Sequence, residues 1–304
     1  MSTARPPQTV AQWIRWATRE FSRAQLVFGH GTDNAADEAA WIMVHVLQID
    51  FVELANHYER AVASEHAARF RGLIEQRIAT RKPTAYLLNE AWFAGLRFYV
   101  DERVLVPRSL FGEFIAEQFQ PWLDPGAVHR ALDLCTGSGC MAVALAQAFP
   151  EAKIDASDIS AEALAVARMN IERHGVTTRV TAIASDLFAK LSGPYDLIVS
   201  NPPYVDAATM RALAPEFQQE PALALASGVH GLDHPLRILA RAADFLTPTG
   251  NLFMEVGNSC GALQARFPSV PFTWLTARTG DESVFLLPAA DLKTFQAEFR
   301  AACA

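Results

Sequence analysis

His129-Arg130-Ala131-Leu132-Asp133-Leu134, followed by Cys135-Thr136-Gly137-Ser138-Gly139 and the Ala-rich stretch from Cys140 to Phe149, decides the fold. The first segment reads as a short buried strand, the second as a small-residue turn and the third as a helix. Glycines at such a junction let the backbone approach a ligand where a Cβ would block it. Gly137-Ser138-Gly139-Cys140-Met141-Ala142 fits the dinucleotide pattern G-x-G-x-x-[GA], and Asp158 lies about twenty residues on, after a second strand. An acid there accepts hydrogen bonds from ribose hydroxyls, which suits NAD and S-adenosylmethionine equally. Asp158 also reads as an ordinary residue ahead of a helix starting near Ser160.

Working outward, Val180 to Ala184 is strand-like and leads into Ser185-Asp186-Leu187-Phe188. There an acid can accept from an adenine amino group while Leu187 covers the ring. Tyr195-Asp196-Leu197-Ile198-Val199-Ser200 is a further apolar run, and Asn201-Pro202-Pro203-Tyr204 follows it directly. In a parallel sheet the carboxyl ends of the strands share one edge, so these four loops converge on one site. The last loop points to chemistry on a planar nitrogen, whose lone pair is delocalised and must be oriented. The Asn201 side-chain carbonyl and the Pro202 backbone carbonyl can hold both N–H groups of an NH2, and the Tyr204 ring can lie against its face. Prolines stiffen the loop and add no competing donors. Alone, Asn-Pro-Pro reads equally as a turn closing a strand.

Asp133 to Gly139, Asp158, Asp186 and Asn201 to Tyr204 together resemble the class I methyltransferase pattern of the protein-glutamine N5-methyltransferases. Phe98 to Ser109, Glu220 to Gly228 and Glu255 to Ser259 extend the resemblance over nearly the whole chain. Where the release-factor branch has Pro-Arg followed by Pro-Asp-Thr-Glu, this chain has Pro107-Arg108 followed by Ser109-Leu110-Phe111-Gly112-Glu113, which is similar to the ribosomal branch. Cys135 to Cys140 and Val270 to Leu275 support the same branch, and Leu110 departs from it by standing where Pro is expected.

The resemblance implies an α/β fold: a class I methyltransferase Rossmann-like, seven-stranded sheet with helices on both faces, plus a small N-terminal all-helical domain and a β-hairpin linker. It implies S-adenosylmethionine as cofactor, held by Asp133, Cys135, Thr136, Gly137, Ser138, Gly139, Asp158, Ile159, Asp186, Leu187 and Asn201. Asn201, Pro202, Pro203 and Tyr204 are then the substrate-binding residues, with Asn201, Pro202 and Tyr204 catalytic. The partner it implies is large-subunit ribosomal protein L-three, methylated on a glutamine side-chain amide.

The chain has 304 residues, 51% of them hydrophobic, enough for about two domains and a substantial core. A formal net charge of −7 disfavours free nucleic-acid binding, which draws on phosphate neutralisation, and fits a basic protein partner better. Cys135, Cys140, Cys260 and Cys303 form no C-x-x-C pair, so a reducing compartment without structural zinc is expected. His230 and His234 lack an evident third ligand, and no metal is expected. Met1 to Pro7 lacks an apolar signal core and no apolar run reaches membrane-spanning length, so a cytoplasmic location is expected.

Residues 1–85 read as the helical domain, 86–106 as the hairpin linker and 107–304 as the catalytic domain. Trp13, Ile14, Trp16, Ala17 and Phe21, then Ala40, Trp41, Met43, Val44 and Leu47, then Phe70, Leu73, Ile74 and Ile78 recur at helical spacing. Such faces are core or, by the resemblance, part of substrate recognition. The turn-rich stretch from Tyr204 to about Gly231 is either a lid or a simple crossover. Leu236 to Leu246 reads as a helix, Leu252 to Val256 as a fifth strand, and Phe272 to Leu275 with Ser283 to Leu287 as the last strands, one of them antiparallel. Glu113, Glu255 and Arg108 are secondary candidates near the site. Three other readings compete: a release-factor methyltransferase, a methyltransferase of nucleic-acid exocyclic amino groups, and a noncatalytic module retaining the fold.

Overall fold

The computed structural model describes residues 7–303, so the reading of Met1 to Pro6 lies outside the described residues. The chain divides into two units. One comprises the chain up to Ala91 together with Ala214–Gln219, and the other Trp92–Leu213 together with the chain from Glu220 onward.

The first unit is helical. Helix Val10–Arg23 starts at Thr9, whose side chain accepts from Gln12 N while the Gln12 side chain reaches back to Thr9 N, a reciprocal cap. Its buried residues Val10, Trp13, Ala17 and Phe21 form one stripe. Helix Ala35–Leu47 is capped by Asn34, and helix Ser64–Thr80 packs Phe70 edge-on to Trp13, with ring centroids 6.0 Å apart. The same helix buries a charge on the face that carries Phe70 and Ile74. The Arg77 Nε donates to Glu38 Oε1 at 2.7 Å, and Thr84 Oγ1 donates to that oxygen at 2.8 Å. Glu216, also buried, accepts from Arg81 Nη1 (2.9 Å) and from Val27 N (3.2 Å), which explains why Ala214–Gln219 belongs with these helices.

Strands β1 (Ala91–Phe93) and β2 (Leu96–Phe98) form a hairpin. Beyond it, Asp101 accepts from the Arg103 backbone N–H and from its guanidinium, folding the chain into a side-chain-closed turn in place of further pairing. The second unit is built on β3 (Arg130–Leu134), β4 (Lys153–Asp158), β5 (Val180–Ala184), β6 (Tyr195–Ser200), β7 (Leu246–Glu255), β8 (Thr273–Leu275) and β9 (Val284–Pro288). They form a seven-stranded sheet in the order β5-β4-β3-β6-β7-β9-β8. All neighbours from β5 to β7 are parallel, and β9 runs antiparallel to both β7 and β8.

Side chains alternate between the two sheet faces, and each face carries its own core. Ala131, Leu197, Val199 and Phe253 pack with the buried helix Cys140–Ala148 on one side; Leu132, Leu134, Ile198, Leu252 and Met254 pack with helices Asp233–Ala242 and Ala289–Ala302 on the other. The helix expected over Leu236 to Leu246 starts and ends earlier, and β7 begins at Leu246 instead of Leu252. Tyr195 pairs with Leu246, but Leu197 pairs with Asn251, so Thr247 to Gly250 bulge out of the ladder. Gly250 permits this, since a Cβ there would lie 2.8 Å from the Tyr195 carbonyl oxygen. Among the described residues no helix is long and apolar enough to cross a membrane.

Candidate active site

The order of the sheet reverses between β3 and β6, and the crevice beyond their carboxyl ends is where open α/β sheets receive ligands. A pocket lies there. It is lined by Leu134, Cys135 and Gly137 after β3, by Asp158 and Ile159 after β4, by Ser185, Asp186 and Leu187 after β5, and by Asn201 and Pro203 after β6. Asp133, Thr136, Ser138, Gly139, Pro202 and Tyr204 are not part of that lining.

Asp133 sits behind the pocket, fully enclosed. Its Oδ2 accepts from Thr136 Oγ1 (2.5 Å) and from Ala142 N (2.9 Å), tying the turn to the helix that follows. Burial pushes its carboxyl up to about 7, more than those two hydrogen bonds offset. The two glycines of the turn divide their work. Gly137 has φ 55°, and a Cβ there would meet no protein atom within 4 Å, leaving the space in front of it open to a ligand. Gly139, with φ 78°, stands so close to helix Ala161–Arg173 that a Cβ would lie 3.1 Å from Ala167 Cβ and 3.2 Å from its Cα. Cys135 holds the left-handed region without being glycine, at φ 67°.

Asp158 is not the cap of helix Ala161–Arg173; Ser160 is, accepting from Ala163 N. Asp158 instead bridges two loops, its Oδ2 accepting from Gly137 N and its Oδ1 from Ser160 N, both at 2.9 Å. Burial raises its pKa against the pull of these N–H groups. After β5, Ser185 Oγ donates to Leu187 O (2.7 Å) and accepts from Lys190 N (3.0 Å), holding Leu187 at φ 45°. Arg237 Nη2 lies 2.9 Å from each Asp186 carboxylate oxygen. His234, whose pKa burial lowers, accompanies Arg237 in the wall, with its Nδ1 3.0 Å from Ser227 Oγ.

After β6 the arrangement changes character. Ser200 Oγ donates to Leu134 O at 2.7 Å, locking the end of β6 to that of β3. Among the described residues, neither the Asn201 side-chain amide, which lines the pocket, nor the carbonyl of Pro202 next to it takes part in a hydrogen bond, so two acceptors after β6 are not spent on structure. Tyr204, by contrast, is pinned on all sides. Its hydroxyl donates to Glu255 Oε1 (3.2 Å), and its backbone carbonyl accepts from Ser259 Oγ (3.0 Å). Its ring lies where a Cβ on Gly257 would collide with it. Burial and the neighbouring Glu255 push its phenol well above the usual range.

The remaining wall comes from Arg103, Val104 and Leu105 and from Pro221, Leu223 and Ala224. Two arms of chain are joined by Arg108, which donates from Nη1 to Glu220 Oε1 (2.7 Å) and from Nη2 to Glu220 Oε2 (2.9 Å), while Val106 N donates to the same Oε1 (3.0 Å). Glu220 opens the segment Glu220 to Gly228 that carries part of the resemblance, but nothing in the sequence pairs it with Arg108. Glu113 faces elsewhere, accepting from Arg278 N at 3.1 Å. Among the described residues no cluster of His, Cys, Asp or Glu could hold a metal ion.

Residues 113–230 match the family model of the methyltransferase small domain, and residues 12–88 that of the PrmC N-terminal domain. The ribosomal protein uL3 glutamine methyltransferase of Neisseria gonorrhoeae is 46% identical over 285 residues, covering 93% of this chain and 95% of that protein. The protein of the same name in Burkholderia pseudomallei is 42% identical over 302 residues, covering 96% and 98%. Among solved structures, the hMettl16 catalytic domain in complex with MAT2A 3'UTR hairpin 6 shares the fold, with a TM-score of 0.50 at 15% identity over 76% of this chain and 84% of that one. With full-length relatives at 42 and 46% identity, the chain belongs to the family of the ribosomal protein uL3 glutamine methyltransferases.

Proposed function

We propose that this protein transfers a methyl group from S-adenosylmethionine to the side-chain amide nitrogen of one glutamine in ribosomal protein uL3. The observation that carries the reading is the pair of unspent acceptors, Asn201 and Pro202, at the end of the central strand β6. The names of the full-length relatives supply the substrate.

The residues present fit the cofactor. Gly137 leaves open space before its backbone, Asp158 and Asp186 offer carboxylates suited to hydroxyl and amino donors, and Ile159 and Leu187 offer apolar cover. Cys135, Ser185 and Leu223 complete that side of the wall. When bound, S-adenosylmethionine supplies an activated, electrophilic methyl group on a sulfonium. Positioning therefore matters more here than acid–base work.

Asn201 Oδ1 and the Pro202 carbonyl oxygen accept one N–H each, which fixes the amide plane and turns the nitrogen lone pair toward one face of the group. As the nitrogen gains positive charge its protons become stronger donors, so both acceptors bind the transition state more tightly than the substrate. Tyr204 packs beside the amide and excludes water. No side chain is assigned as a dedicated base, because an amide nitrogen that has lost its lone pair releases a proton readily.

The test is transfer of tritiated methyl into three separate acceptors: unmethylated uL3, unmethylated release factor and undermethylated ribosomal RNA. Label in uL3 at a single glutamine is the expected result. Label only in release factor or RNA overturns the substrate while keeping the chemistry.

A further inference from the structure

We infer that Glu255 is a positioning residue for methyl transfer, acting through the hydroxyl of Tyr204; the inference rests on the reading of Asn201 to Tyr204 given above. Glu255 ends β7, is 5% exposed, and makes no ion pair among the described residues. Its surroundings consist of donors. Tyr204 OH lies 3.2 Å from Oε1, Ser109 Oγ lies 2.5 Å from Oε2, and the Leu110 backbone N–H points at the same carboxylate. Ser109 Oγ itself accepts from Phe111 N at 3.1 Å, which commits its hydroxyl proton to Glu255.

An ionised carboxylate accepts all three hydrogen bonds; once protonated it becomes a donor at one oxygen, and a hydroxyl such as that of Tyr204 has to turn from donating to accepting. Enclosing a carboxylate in this way is costly, and burial pushes Glu255 up to about 7. An apolar residue would fill the same space without that cost, so the carboxylate is there for the groups it holds. Of these only Tyr204 belongs to the segment Asn201 to Tyr204 that the reading above gives to the substrate. With Gly257 behind the ring and Ser259 on its main chain, the bond to Glu255 fixes the remaining freedom of the phenol. The other charges acting on this pair are Asp281, which raises Glu255, and Arg108, which lowers Tyr204.

The experiment measures steady-state methyl transfer to uL3 by the full-length wild type, Glu255→Gln, Tyr204→Phe and the double variant, with KM for S-adenosylmethionine read in each. Glu255→Gln is expected to lower kcat by about tenfold, the scale of one hydrogen bond to a charged group, with the cofactor KM unchanged. Added to Tyr204→Phe it should cost nothing further. Wild-type kcat should fall on acidification through about 7, and Glu255→Gln should abolish that limb. Ser109→Ala, which removes a hydrogen bond that lowers the pKa of Glu255, should move the limb to higher pH and covers the case of a misfolded Gln variant. Additive losses in the double variant, a loss confined to cofactor KM, or a limb unmoved by Ser109→Ala overturns the inference. Normal turnover in Asn201→Ala, or no transfer to uL3 by wild type, instead removes the reading beneath it.

Discussion

Arg108 and Glu220 meet in a two-pronged ion pair, 2.7 and 2.9 Å, in which the glutamate side chain is wholly enclosed. The pair joins the segment carrying Val104 and Leu105 to the one carrying Pro221, Leu223 and Ala224, and both segments line the pocket. Arg108→Ala takes a two-pronged cation away from a buried carboxylate, so a loss of about 3 kcal/mol in unfolding free energy is expected. Chemical denaturation measures it. The Michaelis constant for S-adenosylmethionine should rise in the same variant.

Asn201→Ala removes one of the two acceptors and leaves the loops after β3, β4 and β5 unchanged. Turnover should fall by about two orders of magnitude, the scale of one lost transition-state contact, while calorimetry shows cofactor binding retained. A folded Asn201→Ala protein with normal turnover would exclude the proposed mechanism.

The glycines after β3 should fail in different ways when replaced. Gly139→Ala drives a methyl group into Ala167 and strains a backbone at φ 78°, so the melting temperature should drop. Gly137→Ala meets no protein atom and carries only the backbone penalty of about 1 kcal/mol, yet it fills space in the pocket. Its main effect should be weaker cofactor binding, read by calorimetry.

Acid should act on stability and activity in opposite directions. Asp133 and Glu255 are each pushed up to about 7 in the folded protein, from ordinary values of 3.8 and 4.5. Between those limits the folded state binds more protons than the unfolded state. Their contribution to stability therefore rises as pH falls from about 7 toward 4.5 and is lost as pH rises through 7. Turnover falls over the same interval if Glu255 must be ionised. Melts and rates taken across pH 5 to 8 in one buffer series, on the order of one reading per half unit, test the opposition, and Asp133→Asn should flatten the stability curve alone.

The strand-turn-strand order of the catalytic unit was legible because β3, β5 and β6 are short apolar runs bounded by small or acidic residues. The convergence of Cys135, Asp158, Asp186 and Asn201 followed from the rule that parallel strands share a carboxyl edge. Other features depended on neighbours distant in sequence. Gly137 and Gly139 look alike until Ala167 is placed beside one of them. Arg77 shares the buried face of its helix with Phe70 and Ile74, and the partner that matches its charge, Glu38, lies in another helix. The early start of β7 depends on Tyr195 pairing with Leu246 across a bulge. The terminal helix Ala289–Ala302 gave no loop signal to separate it from β9, since Pro288 ends one and caps the other.

The two unspent acceptors at the end of β6 also count. On the proposed geometry a primary amide satisfies both Asn201 and Pro202, whereas the product, with a methyl in place of one hydrogen, can satisfy only one. The acceptor left over is desolvated and unpaired, at a cost of about 1 to 3 kcal/mol. The finished side chain is therefore a poor ligand for the groove that made it. On that geometry modification should end at a single methyl per glutamine, with the product released by the same atoms that select the substrate.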